Sequence, residues 1–242
     1  MSRILEVRHL SRSFGALWAV NDVSFDVAEG ELLGLIGPNG AGKSTLYNLI
    51  AGALKSTRGE IVFAGQEITN WPSYRIARLG IARTFQIPKP YRQLSAIENV
   101  MLTAFQHERS VAGARACAEA TLADVGLAEY AGAPIGTLTV GLLKRLEVAR
   151  ALALRPKLVL FDEIMAGLTP TEVGAMTKFV AGLPARGITV IWVEHVLYAI
   201  MKTATRIMVL NRGEVIADGP AGEIARNPTV VKAYLGEEMD LA

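Results

Sequence analysis

The stretch Gly37-Pro38-Asn39-Gly40-Ala41-Gly42-Lys43-Ser44-Thr45 constrains this chain most, because it follows directly on the apolar run Leu32-Leu33-Gly34-Leu35-Ile36. A short apolar run of this kind reads as a buried strand, so the stretch must turn a strand into the next element. It matches G-x-x-x-x-G-K-[ST], with Gly37, Gly42, Lys43 and Ser44 at the fixed positions. Glycines let backbone N–H groups close around a pyrophosphate, where side chains would hold the ligand off. Lys43 supplies a point charge for the outer phosphates, and the Ser44 hydroxyl is placed to ligate Mg²⁺. A helix is expected from Lys43 through Leu46, Leu49 and Ile50, its unpaired N–H groups favouring an anion. The expected phosphate cradle is therefore Asn39, Gly40, Ala41, Gly42, Lys43, Ser44 and Thr45.

Around this loop the pattern is that of an α/β protein. Ile4–Leu10, Val23–Val27, Glu31–Ile36 and Ile61–Ala64 read as strands joined by turns bearing Gly, Asn or Asp. From Ser73 to Leu127 the spacing turns helical, broken at Gln86-Ile87-Pro88-Lys89-Pro90, where two prolines stop any helix. Lys157–Phe161, a helix over Pro170–Leu183 and Gly187–Val193 then form a βαβ unit. A hairpin, Arg206–Leu210 and Glu214–Asp218 around Asn211-Arg212-Gly213, precedes a helix over Pro228–Leu235.

The 242 residues carry 25 basic and 23 acidic side chains, a net charge of +2, which gives no electrostatic footprint for nucleic acid. Cys117 is the single cysteine, so disulfides and cysteine metal sites are out, which suits a reducing cytoplasm. No apolar segment approaches the ~18–20 residues that span a bilayer. Met1-Ser2-Arg3-Ile4-Leu5-Glu6-Val7 lacks the apolar core of a signal peptide and reads as the start of the first strand. The expectation is a chain that neither spans a membrane nor is secreted.

A phosphate loop needs a metal-organising acid at the end of a neighbouring strand, and Leu158-Val159-Leu160-Phe161-Asp162-Glu163 supplies one with a second acid behind it. Asp162 is expected to hold Mg²⁺ through water, and Glu163 to polarise the attacking water as a general base. Without the loop, the same acids read as a strand running into an acidic helix cap. Three further features stand in fixed order. Gln86 follows Thr84-Phe85, the segment Gly136–Leu152 containing Leu138-Thr139-Val140-Gly141 precedes the Asp162 strand, and His195 follows Val193-Glu194. Together these resemble the ATP-binding subunits of ABC transporters, over essentially the whole chain.

The resemblance implies a phosphate-loop ATPase core with an antiparallel β subdomain and a helical subdomain, in one domain over 1–242. Residues 1–72 and 155–242 would form the core with its β subdomain, and 73–154 the mainly helical part ending in the signature segment and its helix. It implies that Phe14 stacks on adenine with Val20 beside it, and that Gln86 ligates Mg²⁺ and links the site to a transmembrane subunit. It also implies that His195 reaches the γ-phosphate of ATP. On their own, Phe14 reads as a core aromatic and His195 as a satisfied polar group. Thr139, Val140 and Gly141 would open a helix facing ATP held by the other subunit of a head-to-tail dimer. The implied setting is peripheral, on the cytoplasmic face of the inner (plasma) membrane. The implied partners are two integral-membrane permease subunits, a second homologous ATPase subunit and, indirectly, a periplasmic solute-binding protein.

Ile81–Gln86, Ala166–Glu172 and Asn227–Glu237 resemble the branched-chain amino acid importers, specifically the ATPase with the Thr-Phe-Gln loop. Urea or amide importers and the lipopolysaccharide exporter share much of the pattern, and a hydrolysis-impaired regulatory subunit is a further reading. Four positions depart from the family: Leu142 for a polar residue, Ile164 for Pro, Thr169 for Asp or Asn, and Val196 for Asp. Leu142 is expected to weaken trans binding of ATP by about one hydrogen bond, roughly 0.5–1.5 kcal/mol. The departures fall mainly on trans-acting elements, which implies an asymmetric dimer whose stronger site uses this chain's phosphate loop.

Overall fold

A computed structural model describes residues 2–239 of the chain. Met1, read with the first strand, and residues 240–242 of the expected domain lie outside the described residues, as do the side chains of residues 235–239.

The elements follow in the order β1 (Arg3–Phe14), β2 (Leu17–Ala28), β3 (Leu32–Ile36), α1 (Lys43–Ile50), β4 (Arg58–Phe63), β5 (Gln66–Glu67), α2 (Ser73–Leu79), β6 (Ile81–Arg83), α3 (Ala96–Ala104), α4 (Val111–Asp124) and α5 (Val140–Leu152). After them come β7 (Leu158–Asp162), α6 (Pro170–Gly182), β8 (Thr189–Val193), α7 (Leu197–Thr203), β9 (Arg206–Asn211), β10 (Glu214–Gly219), α8 (Ala221–Ile224) and α9 (Pro228–Met239). Among the described residues the strands form two sheets, a four-stranded one in the order β2-β1-β4-β5 and a six-stranded one in the order β10-β9-β3-β8-β7-β6. The first is antiparallel throughout; the second is parallel except where β10 returns beside β9.

The parallel strands are apolar on both faces because both faces are covered. Leu32, Val159, Phe161, Val190, Trp192 and Val209 pack on the side of the helical subdomain with α6 and α7. Their neighbours Leu33, Leu35, Leu158, Leu160, Ile191 and Met208 pack on the other side, against α1 and the antiparallel sheet. Alternation with period two thus sorts one strand into two cores, and each such side chain fully buried stabilises by roughly 1.5–3 kcal/mol. The carboxyl ends of β3, β7 and β8 consequently emerge along one edge, each followed by residues of the expected site.

The structure differs from the helical reading of 73–127 at Ile81–Arg83, a strand pairing in parallel with Leu158–Leu160. Gly80 ends α2 in the left-handed conformation (φ 110), and its carbonyl accepts from Lys157 N, which seats the chain on the sheet edge at once. Three apolar-rich residues are too few for periodicity to reveal. Strands β1 and β2 also run further than expected, to Phe14 and from Leu17. Apart from Ser11 and Val20, which are buried, their extra residues are partly or fully exposed and owe their pairing to the partner strand more than to burial.

Candidate functional site

The loop after β3 is stitched to the strands around it. A Cβ on Gly37 (φ 152) would lie 2.1 Å from the Leu210 carbonyl oxygen, and one on Gly42 (φ 104) 2.2 Å from that of Ala19. These two glycines are therefore required by the close approach of the chain's own backbone, a steric reason beside the expected one of admitting the ligand. Gly40 (φ 75) meets open space, so there the missing side chain does leave the cradle clear. The Lys43 ammonium is buried and donates to the carbonyls of Gly37 (2.6 Å) and Pro38 (2.8 Å), which holds it inside the loop. The first turn of α1 has no side-chain cap, so its N–H groups remain available to an anion.

A cavity of about 320 Å³ joins this loop, from Asn39 to Thr45, to Ala19, Gln86, Glu163 and His195. Glu163 follows β7 with left-handed backbone (φ 48) and donates its N–H to the Val193 carbonyl. Both carboxylate oxygens are held: Gln86 Nε2 donates to Oε2 at 2.6 Å, and His195 Nε2 lies 2.8 Å from Oε1. Asp162 is buried, and its backbone N–H donates to Thr84 Oγ1 (3.0 Å). Burial, aided by the charge of Glu163, pushes the Asp162 carboxyl up, and Arg83, Lys144 and Lys43 oppose the rise. Among the described residues no group of three or more His, Cys, Asp and Glu is placed to hold a metal. Ser44, Gln86 and Asp162 are oxygen donors of the kind Mg²⁺ takes when phosphates and water complete its shell.

Two functional neighbours escaped the sequence reading. Lys144 of α5 is buried and donates to the backbone carbonyls of Gln86 and Glu163. Glu194, between β8 and His195, is also buried; it accepts from Met165 N (2.8 Å) and Trp192 Nε1 (3.4 Å), and burial pushes its carboxyl up to about 7. The only sequence signal was a charged residue inside an otherwise apolar helix face or strand end.

Phe14 is exposed at the end of β1 with the Arg12 guanidinium 4.7 Å from its ring centre, and it lines no part of this cavity. Val20 is different: it has no exposed surface and packs in the core, and Ala19 lines the cavity instead. Thr139, Val140 and Gly141 line no part of this cavity. Thr139 caps α5, its hydroxyl accepting from Leu142 N (3.3 Å), while Val140 is exposed. A Cβ on Gly141 would lie 2.6 Å from Glu172 Oε1.

The four departures sit in ordinary packing. Leu142 is half-buried against the helical core, and Ile164 is fully buried in the same core. Thr169 and Glu172 form a complete capping box at the start of α6. Val196 packs against the core at the start of α7, which has no side-chain cap.

Residues 20–166 match the family model described as ABC transporter, and residues 214–240 that described as branched-chain amino acid ATP-binding cassette transporter. The chain is 39% identical to the high-affinity branched-chain amino acid transport ATP-binding protein BraF of Pseudomonas aeruginosa, covering 98% of this chain and 100% of BraF. It is 36% identical to LivG of Escherichia coli over 97% of this chain and 98% of LivG. It is also 34% identical to the lipopolysaccharide export system ATP-binding protein LptB of Acidithiobacillus ferridurans, over the full length of both. Among solved structures, MJ1267, an ATP-binding cassette of an ABC transporter, superposes with a TM-score of 0.88 at 29% identity, covering 97% of this chain and 99% of that one. The dimeric bacterial ABC transporter cassette MJ0796 superposes with a TM-score of 0.83 at 25% identity, covering 90% of this chain and 98% of that one. With a phosphate loop, Glu163 at the end of β7, Gln86 and His195 gathered on one cavity and relatives matched from end to end, the chain belongs to the ATP-binding subunits of ABC transporters and closely matches those for branched-chain amino acids.

Proposed function

We propose that this chain binds and hydrolyses ATP to drive a branched-chain amino acid importer. The observation that carries the reading is the shared cavity, where the phosphate loop meets Glu163 with Gln86 and His195 on its two oxygens. The loop N–H groups and Lys43 bind the phosphates; Ser44, Gln86 and Asp162 would hold Mg²⁺, which when bound would supply charge neutralisation at the phosphates. Phe14 stacks on the base. Glu163 accepts a proton from the attacking water as its oxygen bonds to the γ-phosphorus; the bond to the β-phosphate oxygen breaks and releases ADP. His195, turned from Glu163 to the γ-phosphate, stabilises the developing charge.

Thr139, Val140 and Gly141 then serve the ATP of a second ATPase subunit, for which the Thr139 hydroxyl keeps its hydrogen to donate. The dimeric cassette it resembles supports that arrangement. Two permease subunits engage the loop beside Gln86, where Phe85 and Ile87 are exposed apolar side chains, and a solute-binding protein delivers the amino acid. In this reading the chain works at the cytoplasmic face of the membrane, with residues 73–154 as the helical subdomain apart from β6. The carboxyl-terminal match at 214–240 favours amino acids over lipopolysaccharide as cargo, the second reading that LptB supports.

The test is phosphate release by the complex purified with its membrane subunits. Glu163→Gln is expected to lower turnover at least ~100-fold while ATP still binds, and leucine, isoleucine or valine with the binding protein should stimulate the wild type. Undiminished turnover in the variant overturns the hydrolytic assignment; no stimulation by any of the three overturns the cargo alone.

A further inference from the structure

We propose that Lys144 is a positioning residue that couples the two ATP sites of the dimer, an inference that rests on the proposed ATPase. By that reading the amino-terminal end of α5 meets the partner's ATP at Thr139–Gly141. Lys144 lies five residues beyond Thr139, about 7.5 Å along the helix at 1.5 Å per residue. Its side chain turns inward, only 3% exposed, to this chain's own site.

Its hydrogen-bond partners are the main-chain carbonyls of Gln86 and Glu163, the latter at 2.9 Å. The side chains of those same two residues are bonded to each other, Gln86 Nε2 to Glu163 Oε2 at 2.6 Å. Lys144, Gln86 and Glu163 therefore close a ring: α5 holds both backbones, and the backbones hold a common carboxylate. A shift of α5 on engaging the partner's ATP must displace Gln86 and Glu163 together or break the ring.

A buried ammonium is costly unless bonded, which makes this an expensive way merely to staple two subdomains. Glu194, Glu163, Asp162 and Glu147 offset part of that cost by favouring its charge. The ammonium also suits a coupling role chemically. Its three donors fan from one atom, so it can follow two carbonyls through a small rotation without losing either.

The experiment compares wild type, Lys144→Met and Lys144→Arg in the full chain and in the complex. In the chain alone, hydrogen exchange at 84–90 and 163–168 is expected to quicken about tenfold in Lys144→Met, with β8 unchanged, as for a local opening. In the complex, Lys144→Met should lower kcat about tenfold with KM for ATP within about twofold, and bring the Hill coefficient from above 1 to about 1. Lys144→Arg, which keeps the donors, should restore cooperativity. If Lys144→Met does not fold, Lys144→Gln, with one donor on a shorter arm, is read the same way. A Lys144→Met complex with wild-type Hill coefficient, or a wild type that hydrolyses without cooperativity, overturns the coupling. A wild-type complex that hydrolyses no ATP overturns the proposed function instead, and the exchange measurement still decides whether the ring forms.

Discussion

Between Trp192 in the sheet and His195 at the cavity, Glu194 spends its carboxyl on Met165 N–H and the indole of Trp192, out of reach of water. Its value of about 7, against an ordinary 4.5, means that the folded chain holds that proton more tightly than the unfolded chain. The folded state thus binds more protons between those values, and stability falls as pH rises from 4.5 through 7. Glu194→Gln keeps an oxygen acceptor and removes the titration. It is expected to raise the Tm at pH 8 and flatten the slope of Tm against pH between 5 and 8, as followed by circular dichroism. At Gly42 the constraint is steric. Gly42→Ala drives a methyl toward the Ala19 carbonyl in a backbone region that alanine avoids, and should cost about 2–4 kcal/mol in urea unfolding and abolish nucleotide binding.

Among the elements, α6 carries its own start signal. Thr169 and Glu172 exchange bonds through the capping box, and Pro170 occupies the first turn, where its missing N–H loses nothing. Thr169→Ala should lower stability by about 1 kcal/mol in denaturant titration and leave ATP binding intact, whereas Thr169→Asp should cost nothing measurable. The box also steadies Glu172 beside Gly141, so the start of α6 and the start of α5 are packed together. This explains how Thr can stand at a position where the family more often has Asp or Asn: either type caps the helix. Helix α5 was expected from the family resemblance, but its direction of influence was not. A lysine within Leu143-Lys144-Arg145 reads as a solvated face until the fold brings Gln86 and Glu163 over it.

At the scale of the whole molecule, two cores on opposite faces of one parallel sheet fix the edge where β3, β7 and β8 deliver the loop, the acid pair and His195. That rigidity is what lets a signal at α5 arrive at the cavity. The proposed asymmetric dimer belongs here too. Of the four departures, Ile164 and Val196 are accommodated by packing and Thr169 by capping, which leaves the apolar Leu142 as the one proposed to weaken the site offered to the partner. Glu163→Gln in this chain should therefore lower transport-coupled turnover more than removal of the matching acid in the partner, by about tenfold in phosphate release. Equal losses would sink the asymmetry.

By itself the sequence determined the strand–loop–helix at Gly37–Thr45 and the acids at the end of β7, because each is encoded by spacing within one short segment, whereas Gln86 and His195 were picked out by their order in the family resemblance. It also carried the β-rich opening and the helical part, whose periodicities differ over many residues. Tertiary structure alone decided the rest. The seat of β6, the burial of Val20, the two glycines pressed against Leu210 and Ala19, the raised Glu194 and the ring closed by Lys144 all depend on segments distant in the chain. Their energies come from the approach of one backbone to another and from the exclusion of water between them, and neither is written in local spacing.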